Sequence, residues 1–495
     1  MKTCSLFFLL LFSLAVTETF AVDFTVNLTT DQHDANTADA ICDINLATVE
    51  LECSLRAAVE QANNLVSNDR VLFNLPSNST IILTTVNGGE IPIIDTEGIS
   101  NNIGALEIIG TGANNLTIDG GEGTNRIFYI IRALVAISGV TLTGGNGTSA
   151  IMSGSGGAII ANTATLILNG VHVTTNSGFG NSSAGGVFFN GGANHRIINS
   201  TFSANTVAGN CGGFLASGSS LTVVNSTISG NIAGSYGGGL CNTGTNVTLR
   251  NVTITNNTAR EGGGILLGGG TLNFGNTIVA GNTATHAIAP EIRFTSSIGT
   301  ITSAGGNLIG DSPGDSTNTE TFAITYHPTD IRDVNPLLGA LQNNGGTTPT
   351  HALLVGSPAV DAGLNALAVD PFNGTALAFD QRGVGFPRIR DGNGDGTTIV
   401  DIGAFEVQLA PTAATVSVSG RVTAGKRYVS NAVVHLTSQS GKTQTARTNF
   451  FGYYSFKELA AGETYIINVY SKRYQFTPQV VNLTEDLDGL NFTAQ

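Results

Sequence analysis

Asp391-Gly392-Asn393-Gly394-Asp395-Gly396 is the run in this chain whose residue types and spacing come nearest to a metal site. Oxygen donors from Asp391, Asn393 and Asp395 at alternate positions, with glycine between them, let a short loop wrap calcium. A complete twelve-residue loop would carry Glu at its last position. Ile402 stands there, with Asp401 one residue before it. Calcium held by Asp391, Asn393 and Asp395 is therefore an expectation set against a plain Gly/Asp turn, and no other cofactor is expected. Besides Cys4, four cysteines are available for redox chemistry. Cys42 and Cys53 are close in sequence, and an oxidising compartment favours a disulfide between them. Cys211 and Cys241 are 30 residues apart where the local repeat is 26. That offset puts Cys241 beside Leu215, about four residues along the strand from Cys211, so separate thiols are expected.

Acid–base chemistry finds little to work with. Glycoside hydrolysis needs two carboxylates about 5–10 Å apart. Between residues 123 and 310 there is no Asp and no Lys, and the only acids are Glu261 and Glu291, themselves out of step with the repeat. His172 and His195 each stand alone and read as solvated or hydrogen-bonded histidines. Arg196, Arg250 and Arg260 read as solvated side chains on a nearly neutral wall. Asp361, Asp370, Asp380, Asp391 and Asp395 are the remaining acidic candidates. The polygalacturonase-like combination of paired Asp, Gly-His-Gly and Arg-Ile-Lys is missing, and Arg388-Ile389-Arg390 is only a superficial echo of it. No catalytic residue is assigned.

The elements that must carry these residues are written in a repeat. Gly156-Gly157-Ala158-Ile159 is answered by Gly185-Gly186, Gly212-Gly213, Gly238-Gly239 and Gly263-Gly264, each followed by apolar residues. Their second glycines are 29, 27, 26 and 25 residues apart. A period of that size marks a stacked repeat whose units bury apolar faces against each other. Asn176, Asn205, Asn231, Asn257 and Asn282 keep the same beat. Each unit holds three short alternating runs, such as Leu221-Thr222-Val223, with no helical spacing and no hairpin signal. This predicts an all-β chain built on a right-handed parallel β-helix, with three strands per rung and roughly ten rungs over residues 76–330, about 50 Å long. Glycines are expected at positive-φ corners, and the matched asparagines as amide ladders. Leu55, Ala58, Val59 and Ala62 fall at i, i+3, i+4 and i+7, the face of a short helix able to cap the first rung.

Charge and the N-terminus bound the setting. The net charge is −14, yet residues 411–495 carry eight basic and five acidic side chains, so the acidity belongs to the body. An acidic body without a basic stripe argues against nucleic acid and anionic membranes. Lys2 followed by the apolar run 6–16 reads as a signal peptide over residues 1–21. That run is too short to span a membrane. The expected location is extracellular, with surface association in view. The Asn-x-Ser/Thr triplets at Asn199, Asn225 and Asn251 read as by-products of the ladder rather than glycosylation sites.

Four stretches resemble known families. Residues 53–64, with Cys42-Asp43 upstream, resemble the CSLREA N-terminal domain of exported surface proteins over about residues 22–75, although Ala57 replaces the motif's glutamate. The repeats are similar to those of polymorphic outer membrane protein adhesins, with Gly156–Ile159 and Phe202-Ser203-Ala204-Asn205 as literal copies. Residues 331–409 resemble the choice-of-anchor Q domain, through Asn344-Gly345-Gly346, Gly356-Ser357-Pro358, Asp380-Gln381-Arg382-Gly383 and Asp401-Ile402-Gly403-Ala404-Phe405-Glu406. Most of the acids in that stretch fall in its motifs and read as end-cap structure. After a linker at 410–415, residues 416–495 are similar to carboxypeptidase regulatory-like modules, small transthyretin-like sandwiches, through Gly420, Thr448, Gly452-Tyr453, Gly462 and Tyr465. About 85 residues suit seven strands. Together these resemblances imply a secreted or cell-surface, adhesin-like and non-catalytic protein whose partner is a polysaccharide or cell-surface glycan. A polysaccharide lyase or hydrolase, and a bare spacer displaying the C-terminal sandwich, are the alternatives.

Overall fold

A computed structural model describes residues 22–494, except 66, 95–104, 122–124, 148–151, 181–182, 287–288, 296–298, 312–323, 409–414, 439–442, 461–462 and 484. Residues 1–21, expected to be a signal peptide, and nearly all of the expected linker at 410–415 lie outside the described residues. The chain forms two compact units, residues 1–408 and 409–495.

The first unit is wound in one direction. The turn that starts at Val187 shows the pattern: Val187–Asn190, His195–Ile198 and Thr201–Ser203 are its first, second and third strands. Val187 pairs in parallel with Ile159 on one side and Phe214 on the other. Every ladder between turns is parallel. The ladder of second strands begins at Val22–Val26, inside the segment that resembles an N-terminal domain, and ends at Thr300–Gly305. Complete turns start at Ile91, Phe128, Ile159, Val187, Phe214, Leu240, Ile265 and Ile292. They are fewer than the roughly ten expected, because the outermost turns lack a strand. A fourth, two-residue strand follows the third in five turns and makes its own parallel sheet, as in Thr206–Val207 on Ile232–Ala233. Two residues carry no readable alternation, so the pattern showed only three strands.

Inside the coil, alternate residues of each strand stack into one apolar core, with Phe189, Phe202 and Phe214 in edge contact at its middle. Each such fully buried side chain contributes roughly 1.5–3 kcal/mol. Of the paired glycines only Gly156 has the expected positive φ; the others serve a different purpose. A Cβ on Gly186 would stand 2.4 Å from the Gly213 carbonyl oxygen, and one on Gly213 would stand 2.4 Å from that of Gly239. They allow successive backbones to approach. Positive φ at the corner between second and third strands is taken by glycine, as expected, at Gly139 and Gly170, and by Asn199, Asn225, Asn251 and Asn276 in later turns, asparagine being the residue type that best tolerates it after glycine.

The helix Leu55–Asn63 forms as the apolar spacing predicts. Ser54 caps it by accepting the Ala57 amide at 3.1 Å, and Leu55, Ala58, Val59 and Ala62 are buried against the first strands. Arg56, on the same helix, is buried in a bidentate pair with Asp31.

The Cys42–Cys53 disulfide is present, with Cα atoms 5.2 Å apart. Cys211 and Cys241 are also joined, with Cα atoms 5.4 Å apart, which corrects the expectation of separate thiols. Cys241 does pair with Leu215. Between Cys211 and Leu215, however, the chain turns at Gly212-Gly213, with Cys211 at φ 70°. A four-residue offset around a corner is not a four-residue distance along a strand.

Residues 335–408 do not sit on the end of the coil, as an end-cap would. They run back along its outside as a strap over the positive-φ asparagine corner. Thr348 Oγ1 donates to the Asn199 carbonyl (3.0 Å), Asn225 Nδ2 to that of Phe379 (2.8 Å), and Asn276 Nδ2 to that of Leu364 (2.9 Å).

The second unit packs two sheets around Val418, Val422, Val434, Phe456 and Ile467. One holds Arg427–Tyr428, Thr415–Ala424 and Tyr453–Ala460, with Phe492–Thr493 added in parallel. The other orders Thr443–Arg447, Val433–Ser438, Glu463–Tyr470 and Gln479–Leu483. The short strands at each end make eight rather than seven.

Candidate functional site

Most of the ionisable side chains of the coil are engaged by the fold itself. Asn176, Asn205, Asn231 and Asn257 each donate from Nδ2 to the Oδ1 of the next asparagine, at 2.9–3.0 Å, in a continuous buried ladder that ends at Asn282. Each Oδ1 also accepts a backbone amide, and each Nδ2 also reaches a backbone carbonyl. Glu291 closes the ladder. Its carboxyl accepts from Asn282 Nδ2 at 2.6 Å and from the Gly281 amide at 3.0 Å. Burial pushes its pKa up to about 8. Glu261 instead pairs with Arg293 at 3.1 Å. The two acids of the repeat therefore have separate structural partners.

Of the two readings, the histidines take the hydrogen-bonded one, with His195 buried and His172 half-buried. His195 Nδ1 accepts the Leu166 amide at 3.1 Å, so its proton is on Nε2, facing the Gly191 carbonyl at 2.8 Å. His172 Nε2 lies 2.8 Å from Ser203 Oγ, and burial lowers its pKa to about 4. Two of the three arginines also depart from the solvated reading. Arg196 pairs with Asp370 and stacks on Phe372, while Arg250 is buried and donates to Asn273 Oδ1 at 2.7 Å. Arg260 is exposed and reaches His286 at 3.0 Å.

The acids of the strap are bound into it just as firmly. Asp380 takes Arg382 through Nε and Nη2 and accepts the Glu406 amide at 2.8 Å. The Arg382 guanidinium lies between the rings of Phe386 and Phe405, at 3.9 and 3.8 Å. Arg388 is fully buried and donates to Asn251 Oδ1 and to the carbonyls of Asp401 and Gly403. Glu406 lies 4.0 Å from Arg388 Nε; burial nevertheless pushes its pKa up to about 9 and that of Asp401 to about 6. Both carboxyls accept backbone amides, Glu406 those of Arg390 and Asp401, and Asp401 those of Asp361 and Val407. Gln381 reaches into the coil wall, donating to Thr201 Oγ1 at 2.7 Å and accepting from Thr227 Oγ1 at 2.6 Å.

The run at Asp391 is an exposed chain of side-chain-to-backbone turns. Asp391 accepts the amides of Gly394 and Gly396, Asn393 that of Asp395, and Asp395 that of Thr397. Asp361 accepts the amides of Gly392 and Asn393 from the other side. Asp391, Asn393 and Asp395 thus share one loop.

Two glycosylation triplets are closed off by the strap. Asn225 is committed to Phe379, and Asn251 to Leu367 and Arg388.

A feature of another kind lies on the second unit. The turn Asn449–Gly452 presents Phe450 and Phe451, 81% and 55% exposed, with ring centroids 5.5 Å apart. Beside it, Tyr428 and Tyr453 are each about half exposed. These rings went unnoticed in the sequence. The one available signal was an apolar pair inside an Asn/Gly turn, where polar residues are usual.

A family model described as "Right handed beta helix region" matches residues 131–289. The class is thus a right-handed parallel β-helix over the central turns. The chain matches no curated protein.

Proposed function

We propose that this protein is an exported, non-catalytic β-helix protein that binds glycans or glycan-coated surfaces. The observation that carries this reading is what both acids of the repeat and three buried acids of the strap do: Glu261, Glu291, Asp380, Asp401 and Glu406 are held by an arginine, an amide ladder or backbone amides. A carboxylate committed in this way is not free to alternate between acid and base. β-Helices serve adhesins, lyases and hydrolases alike, so the fold does not choose among them. The resemblances to exported surface proteins and to adhesin repeats favour the binding role. Two disulfides suit an oxidising, extracellular compartment. Among the described residues no helix is long and apolar enough to cross a membrane. The uncharged Asn, Thr and Ser lattice of the coil offers repeated polar groups to a repeating ligand.

The test is retention of the purified full-length protein on a glycan array and on insoluble polysaccharides, against an unrelated β-helix as control. Saturable retention above that control is expected; retention equal to it refutes the reading.

A further inference from the structure

We propose that one end of the C-terminal sandwich is a binding site for an anionic polysaccharide. This rests on the reading above and gives its ligand a charge and a place.

Apart from Lys457, which lies beside Glu458, the strand Thr415–Ala424 separates the module's acids from its cations along its length. Near its start, Asp486 accepts from the Ser417 amide and hydroxyl at 2.7 and 3.0 Å, and Asp488 accepts from Ser419 Oγ at 2.7 Å. Glu458 precedes Leu459, which pairs with Val416, and Glu463 pairs with Leu483, away from the basic end. Arg421 lies four residues along from Ser417, and at seven residues, about 23 Å, the strand ends at Ala424 with Lys426 and Arg427 just beyond. Val429 bonds to Val422 there, and the chain passes directly to Asn431 and Val433. Register then brings Arg447 and Tyr470 to the same end, both opposite Val433, with Lys472 and Arg473 just beyond. Lys426, Arg427, Arg447, Lys472 and Arg473 are exposed. No acid of the module lies among them in the described residues. The chain's overall acidity conceals this basic end.

Aromatic rings are interleaved with these cations. The Arg421 guanidinium lies between the Tyr428 and Tyr453 rings, at 3.8 and 4.3 Å, and its Nε donates to the Phe451 carbonyl at 2.9 Å. Asn449 Oδ1 accepts the amides of Phe451 and Tyr453, which fixes the turn carrying the two phenylalanines. A groove of about 500 Å³ at the same end is lined by Tyr470, Tyr474 and Phe476 among others.

Exposed ring faces of this kind mark a ligand surface. They stack on the C–H faces of sugar rings, while the surrounding cations pair with uronate carboxylates or sulfate groups. The groove lined by Tyr470, Tyr474 and Phe476 suits a polymer chain lying in it better than a flat bilayer surface.

The experiment uses the full-length protein in affinity electrophoresis through polygalacturonate, alginate and neutral dextran, with co-sedimentation on anionic phosphatidylglycerol vesicles alongside. Retardation by the two acidic polymers but not dextran is expected, weakening as salt is added. Replacing both Lys426→Gln and Arg427→Gln, on exposed side chains, should weaken that binding about tenfold. Tyr453→Ala should weaken it too, with an unchanged circular dichroism spectrum confirming the fold. Equal retention by acidic and neutral polymers, an unaltered affinity in the double variant, or binding to vesicles alone overturns the proposal. Neutral-glycan binding without acid preference sinks this site while the surface-binding reading stands; no polysaccharide binding at all sinks both.

Discussion

Glu291 shows how a single residue can look like chemistry and serve architecture. An acid alone in a stretch nearly free of charge invites a catalytic reading, yet its carboxyl finishes the asparagine ladder. Its pKa, raised by burial from 4.5 to about 8, has a definite consequence for stability. The folded state holds a proton that the unfolded chain releases above about pH 4.5. The contribution is therefore complete below pH 4.5, falls as pH rises, and is lost above about pH 8. Its size is on the order of a few kcal/mol. Replacing Glu291→Gln should destabilise the protein at pH 5, and the gap from the wild type should close by pH 8. Denaturant titrations at the two pH values measure this; a gap that stays constant contradicts the proton assignment. What was unreadable at this scale was burial. Arg196 and Arg250 read as solvated because an engaged ion and a solvated one share the same letter.

At the scale of elements, the asparagine ladder is the part most fully legible, because its spacing repeats and its chemistry requires identical neighbours. Asn231 lies mid-ladder, accepting from both the amide and Nδ2 of Asn205 while donating to Asn257 and the Phe202 carbonyl. Asn231→Ala strands these buried groups and should cost about 2–3 kcal/mol, read as a lower denaturant midpoint; a loss below 0.5 kcal/mol, the scale of an ordinary surface change, would show the ladder to be ornamental. Glycine is ambiguous at this scale, since close backbone approach at Gly186 and positive φ at Gly170 select the same residue. The strap was least legible. Its partners lie more than a hundred residues away, as Gln381 with Thr201 and Arg388 with Asn251 show, and no local pattern encodes such a contact. Arg382→Ala leaves Asp380 buried and unpaired and should cost roughly 3–5 kcal/mol. Limited proteolysis should then cut within residues 335–408 at protease levels that leave the wild type intact; unchanged resistance would mean that the strap holds without this pair.

At the scale of the molecule, the winding follows from the repeat period, and the two units from the change in composition near residue 410. The basic end of the sandwich did not follow, because net charge averages over the fold and only strand register separates Asp486 from Arg427. The central proposal is that the chain holds polysaccharide without cutting it, since Glu261, Glu291, Asp380, Asp401 and Glu406 are employed elsewhere. Its most direct test is prolonged incubation of the purified full-length protein with the polysaccharides that retain it, reading new reducing ends and unsaturated uronates against time. The account predicts bound polymer of unchanged length and no new ends above a heat-denatured control; steady, protein-dependent release of fragments contradicts it.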